Sequence, residues 1–385
     1  MLALVNGRIV LSDKVVSDKA VIVEKGAIHS VVEKNALPQS CEIIDADNRL
    51  ICPGLIDIHT HGAMGYSFNQ PSAGAWSKIT RKHERNGITS LCATLVTASL
   101  PDLEKCFKFF QQYKDQLTEG ATILGLHLEG PYISPAMAGA LNPKHIRTPN
   151  DGSAEIFLKY GELIRIFALA PELPGSADLA RKLAKKGIVL AAGHSAAKEE
   201  EAAPVIRAGV RHITHIWSAQ STTVREGPWR KPGLLEVSLT YDTLTVEMIA
   251  DNRHLPPTLM KLAYTCIGPD RLCAISDAST GAGLPEGSHF KIGDIDAEVN
   301  DGVAMLPDHS AFAGSTTLLN KMIPILVNAV SIPLHCAVRM ASLTPARVLG
   351  IEKKKGSIES GKDADLVLFD DDFTAHRVMI AGTWR

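Results

Sequence analysis

Histidines and carboxylates stand at the ends of five short apolar runs in this 385-residue chain. The five segments read Asp57-Ile58-His59-Thr60-His61, His127-Leu128-Glu129, Gly193-His194, Thr214-His215 and Ser276-Asp277. Neutral imidazoles and carboxylates are the ligands that hold Zn²⁺ or Fe²⁺, and an Asp beside such a metal can move protons. The residue types and their positions therefore predict a metal-dependent hydrolase.

Strand-like runs recur from residue 53 to residue 277 and carry these side chains. We predict eight strands, at 55–61, 88–95, 122–129, 164–170, 188–194, 210–215, 245–251 and 272–277. Helix-like segments lie at 72–86, 101–118, 151–160, 174–186, 197–208 and 256–267, and two more follow near 315–329 and 334–349. This alternation predicts an α/β fold with a parallel (β/α)8 barrel of the TIM type. The sixth unit is the least regular, because residues 218–240 are rich in Gly, Pro and Arg and resemble a functional loop.

Side-chain alternation along a strand puts the candidate ligands on one face. Asp57, His59 and His61 share a face, as do His127 and Glu129. The outer face of a barrel packs against helices and must be apolar, so these groups must point inward and meet at the C-terminal mouth. A single His or Asp at a strand end is more often a core or capping residue than a functional one, and for His127 both interpretations stay open. Five strand ends together favour the metal, because unpaired charges inside a barrel are costly.

The two ends of the chain differ from the middle. Residues 1–52 and 356–385 alternate apolar and polar residues around turns such as Asn6-Gly7, which is typical of short antiparallel strands. Neither end is long enough to bury a stable core alone. We therefore expect 1–52 and 350–385 to form one small β domain, beside a barrel domain at 53–349.

Composition excludes several classes of partner. The formal net charge of −2 gives no electrostatic reason to expect nucleic acid or an anionic membrane. Seven scattered Cys without a C-x-x-C pair predict reduced thiols, and argue against a cysteine zinc site. The sequence shows neither an apolar stretch long enough for a bilayer nor a signal region. We expect a cytoplasmic protein that acts on a small molecule.

Seven longer motifs resemble those of the N-acetylglucosamine-6-phosphate deacetylases of the amidohydrolase superfamily. They are PGLIDIHTHG, HLEGPYISP, AAGHSAA, HITHIWSAQ, SDAST, FAGSTTLLNKM and ASLTPARVLG. The resemblance covers nearly the whole chain and implies a distorted (β/α)8 barrel, a small β-sandwich built from both termini, and a homodimer. It also implies hydrolysis of N-acetylglucosamine 6-phosphate to glucosamine 6-phosphate and acetate. The alternatives are another N-acetyl amino sugar such as N-acetylgalactosamine 6-phosphate, another small amide, or a catalytically silent binding protein.

The resemblance assigns roles to the metal-site residues. Glu129, His194 and His215 resemble the ligands of the main metal. His59 and His61 match a pair that holds a second metal in some members, so Zn or Fe is implied with one or two ions per subunit. Asp277 resembles the catalytic acid/base, and the implied substrate-binding residues are Ser218, Ala219, Arg225, His254, Ala140, Phe312 and Gly314.

The contacts to the sugar phosphate depart from the family pattern. Arg225 resembles the Arg that grips the phosphate, and His254 a His that reaches the phosphate of the neighbouring subunit. The usual Tyr-Asn-Ala-Met is here Trp-Ser-Ala-Gln at 217–220, and the usual Arg-Glu-Pro-Gly is interrupted at 225–233. Leu141 stands where many members have a His that helps polarise the acetyl carbonyl. The sequence therefore supports the chemistry more firmly than the substrate.

Overall fold

The computed structural model describes all residues from Met1 to Arg385. The chain begins with seven strands. These are β1 (Leu2–Val5), β2 (Arg8–Val10), β3 (Val15–Val16), β4 (Lys19–Glu24), β5 (Ala27–Glu33), β6 (Glu42–Asp45) and β7 (Leu50–Pro53).

The middle of the chain alternates strands and helices. In order, its elements are β8 (Leu55–Thr60), β9 (Gly62–Ala63), β10 (Tyr66–Ser67), α1 (Ala73–Glu84), β11 (Ile88–Val96), α2 (Leu100–Tyr113), β12 (Thr122–Glu129), α3 (Ala154–Lys159), β13 (Ile164–Leu169), α4 (Ser176–Ala184), β14 (Val189–Ala192), α5 (Glu199–Ala208), β15 (Val210–Ile213), β16 (Val224–Glu226), β17 (Trp229–Lys231), α6 (Leu234–Thr240), β18 (Thr245–Ile249), α7 (Pro257–Ile267) and β19 (Leu272–Ile275).

The last third adds a small antiparallel sheet, three helices and three terminal strands. These are β20 (His289–Ile292), β21 (Ile295–Asn300), β22 (Val303–Met305), α8 (Leu319–Asn328), α9 (Leu334–Met340), α10 (Leu343–Val348), β23 (Leu366–Phe369), β24 (Ala375–Ile380) and β25 (Thr383–Trp384). Short 3₁₀ helices lie at Lys34–Ala36, Lys114–Gln116, Pro135–Met137, Pro143–His145 and Gly161–Leu163.

Eight parallel strands form the barrel in the order β8-β11-β12-β13-β14-β15-β18-β19. The ring closes just beyond the last strand, where the Asp277 amide donates to the His59 carbonyl at 2.9 Å and the His61 amide to the Ala278 carbonyl at 2.8 Å. All residues of β8, β11 and β19 are buried, as expected for parallel strands covered by helices. The predicted (β/α)8 barrel is confirmed.

Three expectations about its elements need correction. The strands predicted to reach residues 194 and 215 end at Ala192 and Ile213, so both histidines lie in the following loops. Residues 218–240 are not all loop, because a hairpin of β16 and β17 is followed by α6. The helix predicted at 334–349 is two helices, since Pro345 has no amide hydrogen for an unbroken helix and is tolerated only in the first turn of α10.

Strands from both ends of the chain share a six-stranded sheet, in the order β25-β24-β23-β7-β2-β3. A second sheet, β5-β4-β1-β6, lies against it. A cluster of 12 buried apolar residues, which includes Leu4, Val21, Ile51 and Leu366, joins the two sheets. The division into 1–52 with 350–385 and a barrel at 53–349 stays a prediction, which this shared packing supports. No helix in the molecule has both the length and the apolar character needed to cross a bilayer.

Candidate metal centre and active site

Loops at the C-terminal ends of the barrel strands surround a cavity of about 290 Å³. The residues that line it are His61, Glu129, Gly139, Ala140, Leu141, His194, His215, Trp217, Ser218, Ala219, His254, Asp277, Ile292, Ala311, Phe312 and Gly314. The ends of β8, β12, β14, β15 and β19 each contribute, so the five predicted segments meet in one place.

Glu129 at the end of β12 lies at the centre of the polar cluster. Its Oε1 is 2.9 Å from His194 Nε2 and 3.0 Å from His215 Nε2. His59 Nε2 lies 3.6 Å from the same oxygen, and His61 Nε2 lies 3.4 Å from Oε2. Four imidazoles therefore present the same ring nitrogen to one buried carboxylate.

Asp277 is a second carboxylate beside the pair His59 and His61. Its Oδ1 is 3.1 Å from His61 Nε2 and 3.6 Å from His59 Nε2. The aspartate lines the cavity, so it faces both the imidazoles and the space where a substrate binds.

Hydrogen bonds on the outer nitrogens orient three of the four imidazoles. His194 Nδ1 donates to the Met137 carbonyl at 2.8 Å, and His215 Nδ1 donates to the Ser218 carbonyl at 3.2 Å. His59 Nδ1 lies 2.9 Å from Glu247 Oε2. A histidine that keeps a hydrogen on Nδ1 binds a metal through Nε2, and these Nε2 atoms point into the cluster, which is the arrangement of metal-ligating histidines.

The cluster fits a divalent metal. Ligand atoms of His59, His61 and Asp277 lie within 4.8 Å of one another, and those of His59, Glu129 and His215 do so as well. His59 Nε2 is buried and has no hydrogen-bond partner among protein atoms. Imidazole nitrogens and carboxylate oxygens in this number are the donor set of Zn²⁺ or Fe²⁺ sites.

The electrostatics of the metal-free cluster favour a cation. Burial alone would raise the pKa of Glu129, but the imidazoles of His194 and His215 hold it well below its usual range. The pKa of Asp277 is also lowered, despite burial, by the hydrogen bond from His61. Burial opposes charge on His59, yet the carboxylates of Glu247, Asp277 and Glu129 raise its pKa to about 10. The carboxylates thus stay ionised and attract positive charge.

Two residues of the cluster have a positive backbone φ, which residues other than glycine rarely adopt. His194 has φ +46° and Asp277 has φ +48°. The His194 carbonyl accepts from the Ser134 amide at 2.8 Å, and the Asp277 carbonyl accepts from the Ser315 amide at 2.7 Å. Such conformations cost about 1–3 kcal/mol each and persist where surrounding contacts impose them, often at functional sites.

Glu247 on β18 belongs to the site but was not predicted from the sequence. It is completely buried and contacts His59, His212 and the backbone of His215. A signal was present, because a Glu within the apolar run Thr-Val-Glu-Met-Ile of a barrel strand must point to the interior.

Two predicted polar residues near the cluster have other partners. Asp57 accepts hydrogen bonds from the hydroxyl and the amide of Ser276, and so joins β8 to the end of β19. His127 donates from Nδ1 to the Ile58 carbonyl at 3.0 Å, and its ring lies edge-on to His59 at 4.4 Å. Neither side chain lines the cavity.

Six of the seven predicted substrate residues line the cavity. They are Ala140, Ser218, Ala219, His254, Phe312 and Gly314, and Leu141 lies among them. His254 lines the cavity of its own chain, and its role at the phosphate of a neighbouring subunit stays a prediction. Asp251 Oδ2 accepts from His254 Nδ1 at 2.8 Å and holds the ring there.

Arg225 is the one predicted substrate-binding residue that does not line the cavity. It lies exposed on β16, and its Nε donates to the Gly227 carbonyl at 2.7 Å instead of reaching the cavity. The hairpin of β16 and β17 forms ion pairs with the start of α5, between Glu226 and Lys198 and between Lys231 and Glu200. The cavity of one chain therefore has no Lys or Arg in its lining.

Comparisons with known proteins agree with this geometry. Residues 50–385 match the Amidohydrolase family, and residues 1–50 match the NagA composite domain. The chain is 34% identical over 356 residues to the N-acetylglucosamine-6-phosphate deacetylase of Danio rerio, covering 89% of this chain and 86% of that protein. It is 30% identical over 346 residues to the N-acetylgalactosamine-6-phosphate deacetylase of Escherichia coli O157:H7, covering 90% of each. The crystal structure of the N-acetylglucosamine-6-phosphate deacetylase from Pasteurella multocida superposes with a TM-score of 0.92 at 27% identity, over 100% of this chain and 99% of that one.

Proposed function

This chain belongs to the amidohydrolase family, and from that premise we propose that it hydrolyses N-acetylglucosamine 6-phosphate to acetate and glucosamine 6-phosphate. The convergence of four Nε2 atoms and two carboxylates at the barrel mouth carries the proposal. Relatives and structural neighbours named for this reaction support the substrate.

The amidohydrolase family is metal-dependent, and the ligand set matches. We assign Glu129, His194 and His215 to one ion, and His59 and His61 to a second ion beside Asp277, with Zn or Fe as the metal. A bound metal polarises the acetyl carbonyl and lowers the pKa of water from about 16 toward 7.

Asp277 moves the proton in this proposal. Its carboxylate faces the cavity and stays ionised, so it is able to accept a proton from the attacking water. It then delivers that proton to the amine nitrogen as the C–N bond breaks. Water and the amide thus give acetate and the free amino sugar.

The phosphate of the substrate needs a cation that one chain does not place in its cavity. His254 is the single residue of the lining, outside the metal cluster, that can carry a positive charge. Arg225 lies outside the mouth, so it reaches a phosphate only if a second copy of the chain presents its hairpin. We therefore propose a homodimer in which Arg225 acts on the partner's site.

The compartment is part of the same proposal. All seven cysteines are free, which supports a reducing, cytoplasmic location.

Acetate release across a substrate panel tests the function. The panel contains N-acetylglucosamine and N-acetylgalactosamine, each with and without a 6-phosphate, and the enzyme is loaded with Zn²⁺ or Fe²⁺. We expect the highest kcat/KM for N-acetylglucosamine 6-phosphate. Preference for the galactose isomer would change the substrate, and no acetate from any member would refute the deacetylase.

A further inference from the structure

A buried carboxylate lies next to the predicted metal ligands and accepts three hydrogen bonds, from β8, from β15 and from the loop after β15. Glu247 Oε2 accepts from His59 Nδ1 at 2.9 Å and from the His215 amide at 3.2 Å. Its Oε1 accepts from His212 Nε2 at 3.0 Å. Glu247 does not line the cavity, so it touches no substrate.

The hydrogen bond between Glu247 and His59 decides which ring nitrogen of His59 is available to a metal. An ionised carboxylate only accepts, so it keeps the imidazole hydrogen on Nδ1. His59 Nε2 has no hydrogen-bond partner within the protein, so with the other hydrogen held on Nδ1 it is the ring nitrogen that would bind an ion.

The contact to the backbone of His215 places a second ligand. β15 ends at Ile213, and His215 follows in a loop that needs another anchor. The amide of His215 points to the same Glu247 oxygen that orients His59. One carboxylate on β18 therefore sets the geometry of ligands from β8 and from the loop after β15.

We propose that Glu247 is a positioning residue of the metal centre, which fixes the His59 tautomer and the His215 backbone by accepting their hydrogens. The proposal rests on the proposed function only in that the cluster holds a metal. What matters is the acceptor at this position and not its negative charge.

Three variants separate a role of the hydrogen-bond acceptor at position 247 from a role of its negative charge. Glu247→Met keeps the length of the side chain and removes the acceptor. Glu247→Gln keeps one acceptor, because the side-chain carbonyl can face His59 and His215. Its amide group then donates to His212 Nε2. The hydrogen of His212 moves to Nδ1, which lies 2.7 Å from Thr245 Oγ1. His212→Gln is the matched control, since it alters a partner of Glu247 that binds no metal.

The readout is Zn²⁺ affinity by chelator competition and Zn²⁺ per chain after dialysis, each beside a thermal melt. We expect Glu247→Met to bind Zn²⁺ about 10- to 100-fold more weakly. Glu247→Gln and His212→Gln should stay within about threefold of the wild type. A folded Glu247→Met with wild-type affinity would overturn the proposal.

If Glu247→Met does not fold, the Gln variant decides alone. Affinity near that of the wild type supports the acceptor role, while a tenfold loss shows that charge matters and overturns it. Because no substrate is present, these results are independent of the acetate panel, and a wrong substrate assignment would leave them unchanged.

Discussion

Asp277 illustrates how one side chain is prepared for proton transfer. Its backbone is in the left-handed region, its carbonyl is held by the Ser315 amide, and its Oδ1 lies 3.1 Å from His61 Nε2. These contacts aim the carboxylate into the cavity instead of along the strand. Because the backbone strain at Asp277 is kept for this orientation, we expect activity to be lost when the side chain can no longer accept a proton.

Replacing Asp277 by Asn should lower kcat by about 10²- to 10⁴-fold, because the amide cannot accept the proton. The isosteric side chain leaves the four imidazoles and Glu129 in place, so metal content should not fall. Steady-state kinetics and metal analysis of the same sample check both statements. The exposed Asp115→Asn is the control. A rate near that of the wild type would remove Asp277 from the acid/base role.

Chelation of the metal should abolish acetate release without unfolding the chain. In the metal-free cluster a proton on His59, whose pKa is raised to about 10, partly replaces the ion against the carboxylates. We expect the melting temperature to fall by roughly 3 °C relative to protein with metal at about 100 times Kd. Zn²⁺ or Fe²⁺ should restore both activity and melting. Full activity after exhaustive chelation would contradict the metal requirement.

At the scale of the elements, the barrel closes at a seam between β8 and β19. The backbone hydrogen bonds there lie beyond the end of β19, and Asp57 adds its contacts to Ser276. Burial raises the pKa of Asp57 to about 6, although the bonds from Ser276 oppose that rise. The carboxyl group at the seam therefore holds its proton more tightly in the folded chain than in the unfolded chain.

The stability of the metal-free protein should depend on pH through Asp57. Between the ordinary pKa of an aspartate and about pH 6, the folded chain keeps a proton that the unfolded chain releases. The stability of the folded chain therefore falls as pH rises. The Asp57→Asn variant has no carboxyl group at this position, so its stability lacks this dependence on pH. We expect the wild type to lose on the order of 3 kcal/mol relative to Asp57→Asn between pH 4 and pH 8.

Urea unfolding of the two proteins at both pH values, with chelator present, measures this difference. The exposed Asp115→Asn should follow the wild type at each pH. A free-energy difference between wild type and Asp57→Asn that does not change with pH would contradict the buried-carboxyl account.

At the scale of the whole molecule, one chain holds a complete set of metal ligands but an incomplete phosphate site. Trp229 at the hairpin is 71% exposed, and Arg225 bonds only within the hairpin. His254, in contrast, is held inside its own cavity by Asp251. The two residues that resemble phosphate contacts should therefore act in different chains.

Co-expression of two inactive variants tests this arrangement. Chains with Arg225→Ala and chains with Asp277→Asn should together regain about a quarter of wild-type kcat/KM, because half of the dimers are mixed and each has one complete site. His254→Ala paired with Asp277→Asn should regain nothing, since both residues serve the same cavity. Activity of the unseparated mixture is measured at low substrate concentration. No recovery with Arg225→Ala would exclude the trans arrangement.

The types of the ligands and the alternation of the elements could be predicted because both depend on neighbours close in sequence. Strand parity placed His59 with His61 and Glu129 on inward faces, and apolar runs separated by helical segments predicted the barrel. Glu129, His59, His61, His194, His215 and Asp277 all converge as expected.

Contacts between distant segments were decided only by the tertiary structure. Glu247 lies 188 residues from His59 along the chain, and no local pattern states that its carboxylate accepts the His59 hydrogen. The hairpin that carries Arg225 turns away from the cavity because its pairing and its contacts to α5 are made in three dimensions. Sequence determined which groups are available, and packing determined their orientation, since a hydrogen bond depends on distance and angle between atoms that the chain brings together only on folding.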